Sequence, residues 1–311
     1  MNKQDDIIEE AGKIIQNGGL VIFPTETVYG LGANALNATA VGKIFLAKER
    51  PTYDPLIVHI DSISKINMVT SNFSSIAKKL ADKFWPGPLT LILPKSSSIP
   101  YIVTSNLESV GVRIPNHPIA LKFLQKANVP IAGPSANKFG YISPTKNSHL
   151  KPLENVVDLI LDGGECSVGI ESTIVSLLAE PKILRMGKIT REEIEDVIGP
   201  VDFQVNSSSN PEAPGMLERH YAPKTRLEIY DPKQNYNQKV AWLGFNKNAP
   251  NIEIKKELDL SPNGDLIEAA ENLYSFLREL DSSEFDIILI KYLPNNGVGM
   301  AINDKIKRAS N

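Results

Sequence analysis

The segment Gly18–Ile60 constrains the fold more than any other part of the chain, because strand, loop, helix and strand signals follow one another without a gap. A glycine pair precedes the apolar run Leu20–Phe23, which predicts a buried strand. The polar run Pro24–Gly30 comes next. Apolar side chains at helical spacing within Val41–Ala47 then predict a helix, and Leu56–Ile60 predicts a second strand. The segment therefore predicts an α/β unit with a loop rich in functional groups at its centre.

The predicted helix of this segment ends in two basic residues, Lys48 and Arg50, and Pro51 stops it. Cations at the carboxyl end of a helix often do no more than complement the helix dipole. Here the following proline and strand also fix where the two side chains point. A compact ammonium group beside a planar guanidinium suits phosphate oxygens or a carboxylate, so the pair predicts an anion-binding cradle.

The composition argues against several classes of protein. There are 33 basic and 36 acidic residues, so the basic surplus typical of proteins that hold duplex nucleic acid is absent. Cys166 is the single cysteine, which rules out an intrachain disulfide, and with only four histidines we expect no structural zinc site. The acidic start MNKQDDIIEE does not resemble a secretion signal, and no run of 18 apolar residues occurs. We therefore expect a cytoplasmic protein without a membrane span.

The order of the predicted elements favours two α/β domains in a chain of 311 residues. Residues 1–200 alternate helices with turn-joined strands, which predicts a mixed, twisted open sheet with flanking helices. Residues 201–225 contain the Asn/Ser/Pro-rich run Gln204–Pro214, which is typical of a linker, and residues 226–311 predict a smaller α/β domain. Helices are predicted over residues 4–16, 76–84, 117–126, 190–199, 265–280 and 301–309, and further strands over 89–93, 110–114, 129–132, 173–178, 227–230, 240–245 and 287–290.

Several polar residues stand in or beside predicted strands and are candidates for binding. Arg113 lies inside an apolar strand, where an unpaired buried cation is costly, so it forms either a structural ion pair or a contact with a ligand carboxylate. Ser135 and Asn137 follow a strand, where α/β proteins tend to bind ligands, although these residue types also suit a plain turn. Ser143 fits a helix N-cap equally well, and His59 fits core packing as well as a ligand contact.

The glycines and hydroxyls of Asp162–Gly164 and Gly169–Thr173 form a turn that enters a strand and suits a phosphate, and Arg185 is a further arginine at a strand end. The run Gly30–Ala35 fits G-x-G-x-x-A, but six residues separate it from its strand and no acidic ribose partner follows at the expected distance. A P-loop signature and a Ser/His/Asp arrangement are also absent from the sequence. The sequence therefore favours anion binding without nucleophilic catalysis by the protein.

Eight short motifs, taken together, resemble one family: the threonylcarbamoyl-AMP synthases, with their YrdC-like domain. Their order covers nearly all of residues 1–199, and APGMLERHYAP and GVGMAINDKIKRA in the tail resemble the long form, which adds a Rossmann-like domain. The motifs are FPTETVYGLG (Phe23–Gly32), KERP (Lys48–Pro51), DPLIVHI (Asp54–Ile60), WPGPLT (Trp85–Thr90), GVRIP (Gly111–Pro115), PSAN (Pro134–Asn137), ESTIV (Glu171–Val175) and ILRMG (Ile183–Gly187).

This resemblance implies an activity and a set of site residues. The family makes threonylcarbamoyl-AMP and pyrophosphate from L-threonine, bicarbonate and ATP, and a downstream transferase moves the threonylcarbamoyl group to an adenosine beside the tRNA anticodon. Mg²⁺ is held mainly by ATP, so the resemblance implies no protein ligand for a metal. The implied ATP contacts are Lys48, Arg50, Asp54, Ser135, Asn137, Ser143, Arg185 and Tyr221, of which Lys48 and Arg50 are also the implied catalytic residues. The implied threonine contacts are Thr27, Tyr29, His59, Arg113, Gly133, Ser172 and Thr173.

The sequence departs from the family pattern at three positions. Asp54 stands where the family commonly has Asn, Met186 replaces the usual Pro, and Ser176 occupies a position where Asp is frequent. Because the product is a labile mixed anhydride, we hypothesise that Pro214–Tyr221 forms a lid that excludes water. We also expect a monomer that does not bind nucleic acid stably.

The sequence alone leaves other functions open. One is an RNA-binding module of a tRNA-modification complex, which salt-dependent tRNA binding would reveal. Another is an enzyme that forms a carbamoyl adenylate, as in hydrogenase maturation, although the zinc-finger and acylphosphatase regions of those proteins are absent from this sequence. A regulatory protein that binds ATP or threonine without turnover is the third.

Overall fold

The computed structural model describes residues 3–203, 213–215 and 219–311 of the chain. Their strands form one sheet of ten strands and one of four. The strands of the large sheet are β1 (Val21–Phe23), β2 (Gly30–Asn34), β3 (Ile57–His59), β4 (Leu89–Pro94), β5 (Ser109–Arg113), β6 (Ile131–Ala132), β7 (Leu159–Ile160), β8 (Thr173–Ser176), β9 (Lys182–Arg185) and β10 (Asp202–Phe203). Those of the small sheet are β11 (Arg226–Ile229), β12 (Val240–Gly244), β13 (Lys256–Asp259) and β14 (Ile287–Ile290). The α-helices are α1 (Lys3–Gln16), α2 (Ala38–Lys48), α3 (Ser75–Phe84), α4 (Tyr101–Thr104), α5 (Pro118–Ala127), α6 (Arg191–Ile198), α7 (Leu266–Leu280) and α8 (Val298–Ala309).

The large sheet mixes parallel and antiparallel neighbours in the order β10-β9-β8-β4-β5-β3-β6-β2-β1-β7. The pairs β3 with β5 and β4 with β8 are parallel, whereas β4 with β5 and β1 with β2 are antiparallel. Helices α2 and α3 pack against one part of this sheet, and α1 and α5 pack together against another. The predicted mixed open sheet with flanking helices is confirmed.

Alternate residues of β3 and β5 face opposite sides of the large sheet, as in any extended strand. Val58 and Val112 are paired in register and both belong to the main apolar core. His59 and Arg113 are the next pair in that register, so they lie side by side on the opposite face. Apolar packing on one face therefore fixes two candidate site residues on the other.

Helix α2 ends in a way that turns two basic residues inward although they are only two positions apart. Glu49 adopts a left-handed conformation with φ of 56°. The N–H groups of Glu49 and Arg50 donate to the carbonyls of Leu46 and Phe45. Because the chain reverses at Glu49, Lys48 and Arg50 are both buried while Glu49 itself is exposed. The helix was predicted to end in Lys48 and Arg50 before Pro51, and it ends at Lys48 with Glu49 as its C-cap.

The small sheet is wholly parallel, in the order β11-β14-β12-β13, and belongs to the C-terminal unit, residues 219–311. This agrees with the predicted Rossmann-like domain. Helices α7 and α8 supply much of its apolar core, which also includes Val28, Ile142 and Ile170 of the N-terminal unit, residues 3–203. The two units therefore share one apolar core. The predicted boundaries at 200 and 225 remain a prediction, since most of the linker run Gln204–Pro214 lies outside the described residues.

Most of the predicted helices and strands are confirmed, with ends that shift by a few residues. Strands β2, β7, β10 and β13 and the short helix α4 were not predicted. Strand β2 contains Gly30 and Gly32 and has a weak strand propensity, but its pairing with β1 and β6 overrides that propensity. Strand β13 carries charged residues at the edge of the small sheet, so its apolar signal is faint.

We predict that the shared core makes Leu273 of α7 important for stability. Leu273 is fully buried, and Leu273→Ala should lower the free energy of unfolding by about 2–5 kcal/mol, because a cavity replaces the lost side chain. Ile267 on the same helix is 39% exposed, and Ile267→Ala should cost less than about 1 kcal/mol. Urea unfolding followed by circular dichroism measures both changes. Equal losses in the two variants would contradict the proposed burial of this face of α7.

Candidate active site

An open cavity of about 570 Å³ lies on the face of the large sheet that carries His59 and Arg113. Its walls come from the polar run after β1, the loop after β6, the residues before β8 and the segment before the C-terminal unit. Three arginines and a single carboxylate are among the described residues that line it, so the cavity suits an anion. The described lining residues are Thr25, Thr27, Val28, Gly30, Arg50, Ile57, His59, Arg113, Gly133, Pro134, Ser135, Glu171, Ser172, Arg185, Pro214, Gly215, His220 and Tyr221.

The Arg113 guanidinium group is held on three sides. Its Nη2 lies 2.7 Å from the Glu26 Oε1 atom, and both side chains are buried. Its Nη1 donates to Thr27 Oγ1 at 2.9 Å, and its Nε donates to the Gly87 carbonyl at 3.2 Å. The sequence left an ion pair and a ligand contact as alternatives for Arg113. The ion pair is confirmed, and the same side chain also lines the cavity, so the two roles are compatible.

Arg50 and Lys48, at the end of α2, lie at different depths relative to the cavity surface. Arg50 lines the cavity, forms an ion pair with Asp54 at 2.8 Å, and donates to the carbonyls of Asp54 and Pro55. Lys48 lies behind the lining, where its Nζ donates to the carbonyls of Ser135 and Asn137 at 2.5 Å each. Burial lowers the pKa of Lys48 well below its ordinary value, and the neighbouring Arg50 charge lowers it further. Arg50 thus faces the cavity directly, while Lys48 ties two walls together.

Arg185 links the residues before β8 to the segment that precedes the C-terminal unit. Its Nε and Nη2 donate to the carbonyl and hydroxyl of Ser172 at 3.0 Å each, and its Nη1 donates to the Pro214 carbonyl at 3.2 Å. Gly215 has a φ of +82°, and a Cβ atom there would lie 2.7 Å from the Tyr221 hydroxyl oxygen. Only glycine fits at this close approach. Pro214 and Gly215 line the cavity, but residues 216–218 lie outside the described residues, so the lid formed by Pro214–Tyr221 remains a prediction.

Two imidazoles and a phenol complete the polar lining. Burial, with a smaller contribution from Arg113, lowers the pKa of His59 to about 3. Burial and the charges of Arg50 and Lys48 lower the pKa of His220 well below its ordinary value. Both imidazoles are therefore neutral near pH 7. Within the described residues, their Nδ1 atoms and the Tyr221 hydroxyl have no hydrogen-bond partner, so they are available to a ligand.

Two models of known protein families together match almost the whole chain. A family model described as Telomere recombination, for the Sua5, YciO and YrdC proteins, matches residues 13–187. A second, described as Threonylcarbamoyl-AMP synthase, C-terminal domain, matches residues 189–311. The chain belongs to the threonylcarbamoyl-AMP synthase family. The resemblance of the eight motifs and of the tail to the long form is confirmed.

Individual members of the synthase family are similar over nearly their full length. The threonylcarbamoyl-AMP synthase of Pyrococcus abyssi is 39% identical over 97% of this chain and 94% of its own. That of Bacillus subtilis is 39% identical over 100% of this chain and 94% of its own. The crystal structure of P. abyssi Sua5 complexed with L-threonine has a TM-score of 0.90, with 39% identity over 97% of this chain and 94% of that one.

Most of the residues that the family resemblance implied come together around the cavity. Those that line it are Thr27, Arg50, His59, Arg113, Gly133, Ser135, Ser172, Arg185 and Tyr221. The others lie outside the lining and are Tyr29, Lys48, Asp54, Asn137, Ser143 and Thr173. The ligand that each residue contacts remains a prediction.

The side chains outside the lining make contacts within the protein. The Tyr29 hydroxyl donates to the Gly164 carbonyl at 2.8 Å, and the Thr173 hydroxyl donates to the Ile189 carbonyl at 2.6 Å. The Asn137 side-chain amide donates to two backbone carbonyls. These bonds order the walls of the cavity, which is a role that motif matching does not distinguish from ligand contact.

Three lining residues with polar side chains were not predicted as site residues: Thr25, Glu171 and His220. All three lie inside motifs that the sequence analysis singled out, so their position in a motif was the available signal. Thr25 bonds within its own turn, where its hydroxyl donates to the Val28 carbonyl at 2.6 Å. The sequence did not reveal the orientation of Glu171 and His220, because it depends on contacts with Tyr274 and Arg308, which lie about 90 to 100 residues further along the chain.

We predict that His59 makes the stability of this synthase-family chain depend on pH. Its pKa of about 3 in the folded state lies below the ordinary value of 6.5, so the unfolded chain binds the extra proton between these values. The contribution of His59 is therefore complete above pH 6.5 and is lost as pH falls towards 3. The slope of unfolding free energy against pH should be smaller in His59→Asn by up to about 1.4 kcal/mol per pH unit near pH ~5. Denaturant unfolding at several pH values measures it, and equal slopes would contradict a neutral His59.

Proposed function

We propose that this chain makes threonylcarbamoyl-AMP and pyrophosphate from L-threonine, bicarbonate and ATP, for the modification of tRNA beside the anticodon. The full-length similarity to threonylcarbamoyl-AMP synthases carries the proposal. The cavity supports it, because three arginines, several hydroxyls and two neutral imidazoles face one space. These are the groups that hold a carboxylate and a triphosphate without forming a covalent bond to either.

Threonine is proposed to bind at the Arg113 side of the cavity. The P. abyssi Sua5 crystal structure is described as complexed with L-threonine, and its fold matches this chain at a TM-score of 0.90. Three of the five N–H groups of Arg113 are directed at Glu26, Thr27 and Gly87, so two remain to donate to the amino-acid carboxylate. Thr27 and His59 line the same side and suit the substrate hydroxyl and amine. A Cβ atom at Gly133 would lie 3.2 Å from His59 Nδ1, so the glycine leaves this nitrogen accessible. The implied contacts Tyr29, Ser172 and Thr173 remain part of this proposal.

ATP is proposed to bind at the Arg50 and Arg185 side. These two guanidinium groups and the Ser135 backbone face the cavity, and Tyr221 offers a ring and a free hydroxyl. Lys48 holds the loop that carries Ser135, and Asp54 holds Arg50 in place. Asn137 and Ser143 complete the implied ATP contacts.

The proposed reaction has two steps. The threonine amine attacks bicarbonate or CO₂, and with bicarbonate the products are a carbamate and water. A carbamate oxygen then attacks the α-phosphorus of ATP, and the bond to the pyrophosphate oxygen breaks. The residues of the chain hold both anions in line and balance the charge that develops on the leaving group, so positioning supplies most of the rate enhancement. No side chain needs to become covalently attached.

Mg²⁺ is proposed to enter with ATP. Within the part of the chain that the structure describes, no group of three or more His, Cys, Asp or Glu side chains is placed to hold a metal ion. Glu171 is the one carboxylate among the described lining residues, which fits an ion held mainly by phosphate oxygens. When bound, Mg²⁺ would neutralise charge on the phosphates.

The product is proposed to pass to a downstream tRNA threonylcarbamoyl transferase in the cytoplasm. No α-helix in residues 3–203 or 219–311 is long and apolar enough to cross a membrane. The near-balanced charge of −3 supports the proposal that the chain does not bind nucleic acid stably. A monomeric state is also part of this proposal. The rival carbamoyl-adenylate activity differs in its acceptor, so substrate omission separates it from this proposal.

We predict that pyrophosphate release from ATP and Mg²⁺ requires both threonine and bicarbonate. Lys48→Ala should abolish release, because two loop carbonyls lose their donor and the walls separate. Lys138→Ala is the matched control, since Lys138 also bonds to a carbonyl at the end of α2 but does not line the cavity. A coupled phosphate assay measures the rate, and thermal melting checks that both variants fold. Release without threonine would overturn the proposed substrate.

We also predict that Arg113→Gln raises the KM for threonine by about 30- to 4000-fold and leaves the KM for ATP nearly unchanged. The reason is the loss of a charged contact with the substrate carboxylate, which costs about 2–5 kcal/mol. Because Arg113→Gln alone leaves the Glu26 carboxylate buried and unpaired, the double variant with Glu26→Gln serves as the control for folding. A folded double variant with normal threonine affinity would contradict the role of Arg113.

A further inference from the structure

Helix α7 of the C-terminal unit reaches the back of the cavity through Tyr274. This side chain is fully buried, and its hydroxyl donates to Glu171 Oε2 at 2.7 Å. Glu171 belongs to the N-terminal unit and lines the cavity. One hydrogen bond therefore connects the core of the C-terminal unit directly to the proposed nucleotide site.

The second oxygen of Glu171 is also occupied. Ser143 is fully buried and donates its hydroxyl to Glu171 Oε1 at 2.5 Å. The Glu171 carboxyl group is thus clamped between two hydroxyl donors, one from each unit. Both of its oxygens are committed, which matters because a carboxylate that turned freely towards a triphosphate would repel it.

The ring of Tyr274 makes a second contact with the site. It stacks on Tyr221 with ring centroids 5.6 Å apart and planes 25° apart. Tyr221 is itself a lining residue, so a single side chain of α7 supports two walls of the cavity. Aromatic pairs at this spacing contribute beyond the area that they bury.

Helix α7 is fixed against the N-terminal unit independently of this contact. Arg278 donates to the Ile142 carbonyl at 2.5 Å, and the Tyr141 hydroxyl donates to Asp281 at 2.6 Å. Both contacts lie C-terminal to Tyr274, at Arg278 one turn further along α7 and at its C-cap residue Asp281. Tyr274 is therefore held at a defined position relative to Glu171 without depending on the nucleotide.

We infer that Tyr274 is a positioning residue for ATP binding, and that the C-terminal unit completes the nucleotide site by fixing Glu171 through its hydroxyl and Tyr221 through its ring. The inference rests on the proposed function, because it takes the ligand at this wall to be ATP. In the C-terminal unit, residues 219–311, the cavity lining includes no residue beyond Tyr221. The inference therefore gives a role in the reaction to a part of this unit that does not line the cavity.

The test compares Tyr274→Phe with Tyr141→Phe. Both variants remove one hydroxyl that bonds to a carboxyl group across the interface, but only Tyr274 touches residues of the lining. Tyr274→Phe should weaken ATP binding in calorimetry and raise the KM for ATP, each by about tenfold, with kcat and the KM for threonine nearly unchanged. Tyr141→Phe should leave ATP binding within about twofold of the wild type, with a similar loss of thermal stability.

A double-mutant cycle then tests whether Tyr274 acts through Glu171. In a Glu171→Ala background, Tyr274→Phe should add less than about a twofold effect on ATP binding, because the acceptor of the Tyr274 hydroxyl has already been removed. An equal effect in both backgrounds, or equal ATP affinities for Tyr274→Phe and Tyr141→Phe, would overturn the inference. A different result would overturn the proposed function: a wild-type protein that binds ATP but releases no pyrophosphate in the presence of threonine and bicarbonate.

Discussion

The buried Lys48 ammonium group donates to the Ser135 and Asn137 carbonyls at 2.5 Å each. A cation away from water is tolerated only where polar groups replace its hydration, so the ammonium group and the two carbonyls depend on one another. The contact locks the end of α2 to the loop after β6. That loop carries Gly133 and Ser135, and the same helix end carries Arg50, so one internal amine sets the spacing of the anion-binding face.

The three cavity arginines differ in what surrounds them. Arg113 and Arg50 each share their charge with a buried carboxylate, Glu26 and Asp54 respectively. Arg185 instead donates to carbonyls and a hydroxyl around the Ser172 side of the cavity. The paired arginines therefore act mainly as fixed, directional donors, whereas Arg185 contributes more of its net charge. A cavity arranged in this way orients an anion at one end and attracts it at the other.

The sequence predicted much of this arrangement for identifiable physical reasons. Apolar periodicity fixed β3 and β5, and their register alone brings His59 beside Arg113. The left-handed turn at Glu49 was not visible in the pattern, yet it decides that Lys48 lies behind the lining while Arg50 faces the cavity. The motifs likewise placed Tyr29 and Thr173 near the site but could not show that their hydroxyls bond to backbone carbonyls.

Contacts between residues that are far apart in the sequence could not be predicted from the sequence. Periodicity describes one element at a time, so it predicted the helix α7 but not that Tyr274 reaches Glu171 across the interface. Asp54 is a related case. A departure from the family pattern drew attention to it, but only the folded chain brings its carboxylate to within 2.8 Å of Arg50.

The apolar core of the C-terminal unit includes Val28, Ile142 and Ile170 from the N-terminal unit. Two units joined in this way differ from independent domains on a tether, because separating them would expose apolar surface on both sides. The covalent connection then acts mainly by keeping the two units at a high local concentration relative to each other. The free energy that holds them together comes from the interface itself. A break in the chain between them would leave two complementary fragments with matching apolar faces, which favours reassembly into the intact fold.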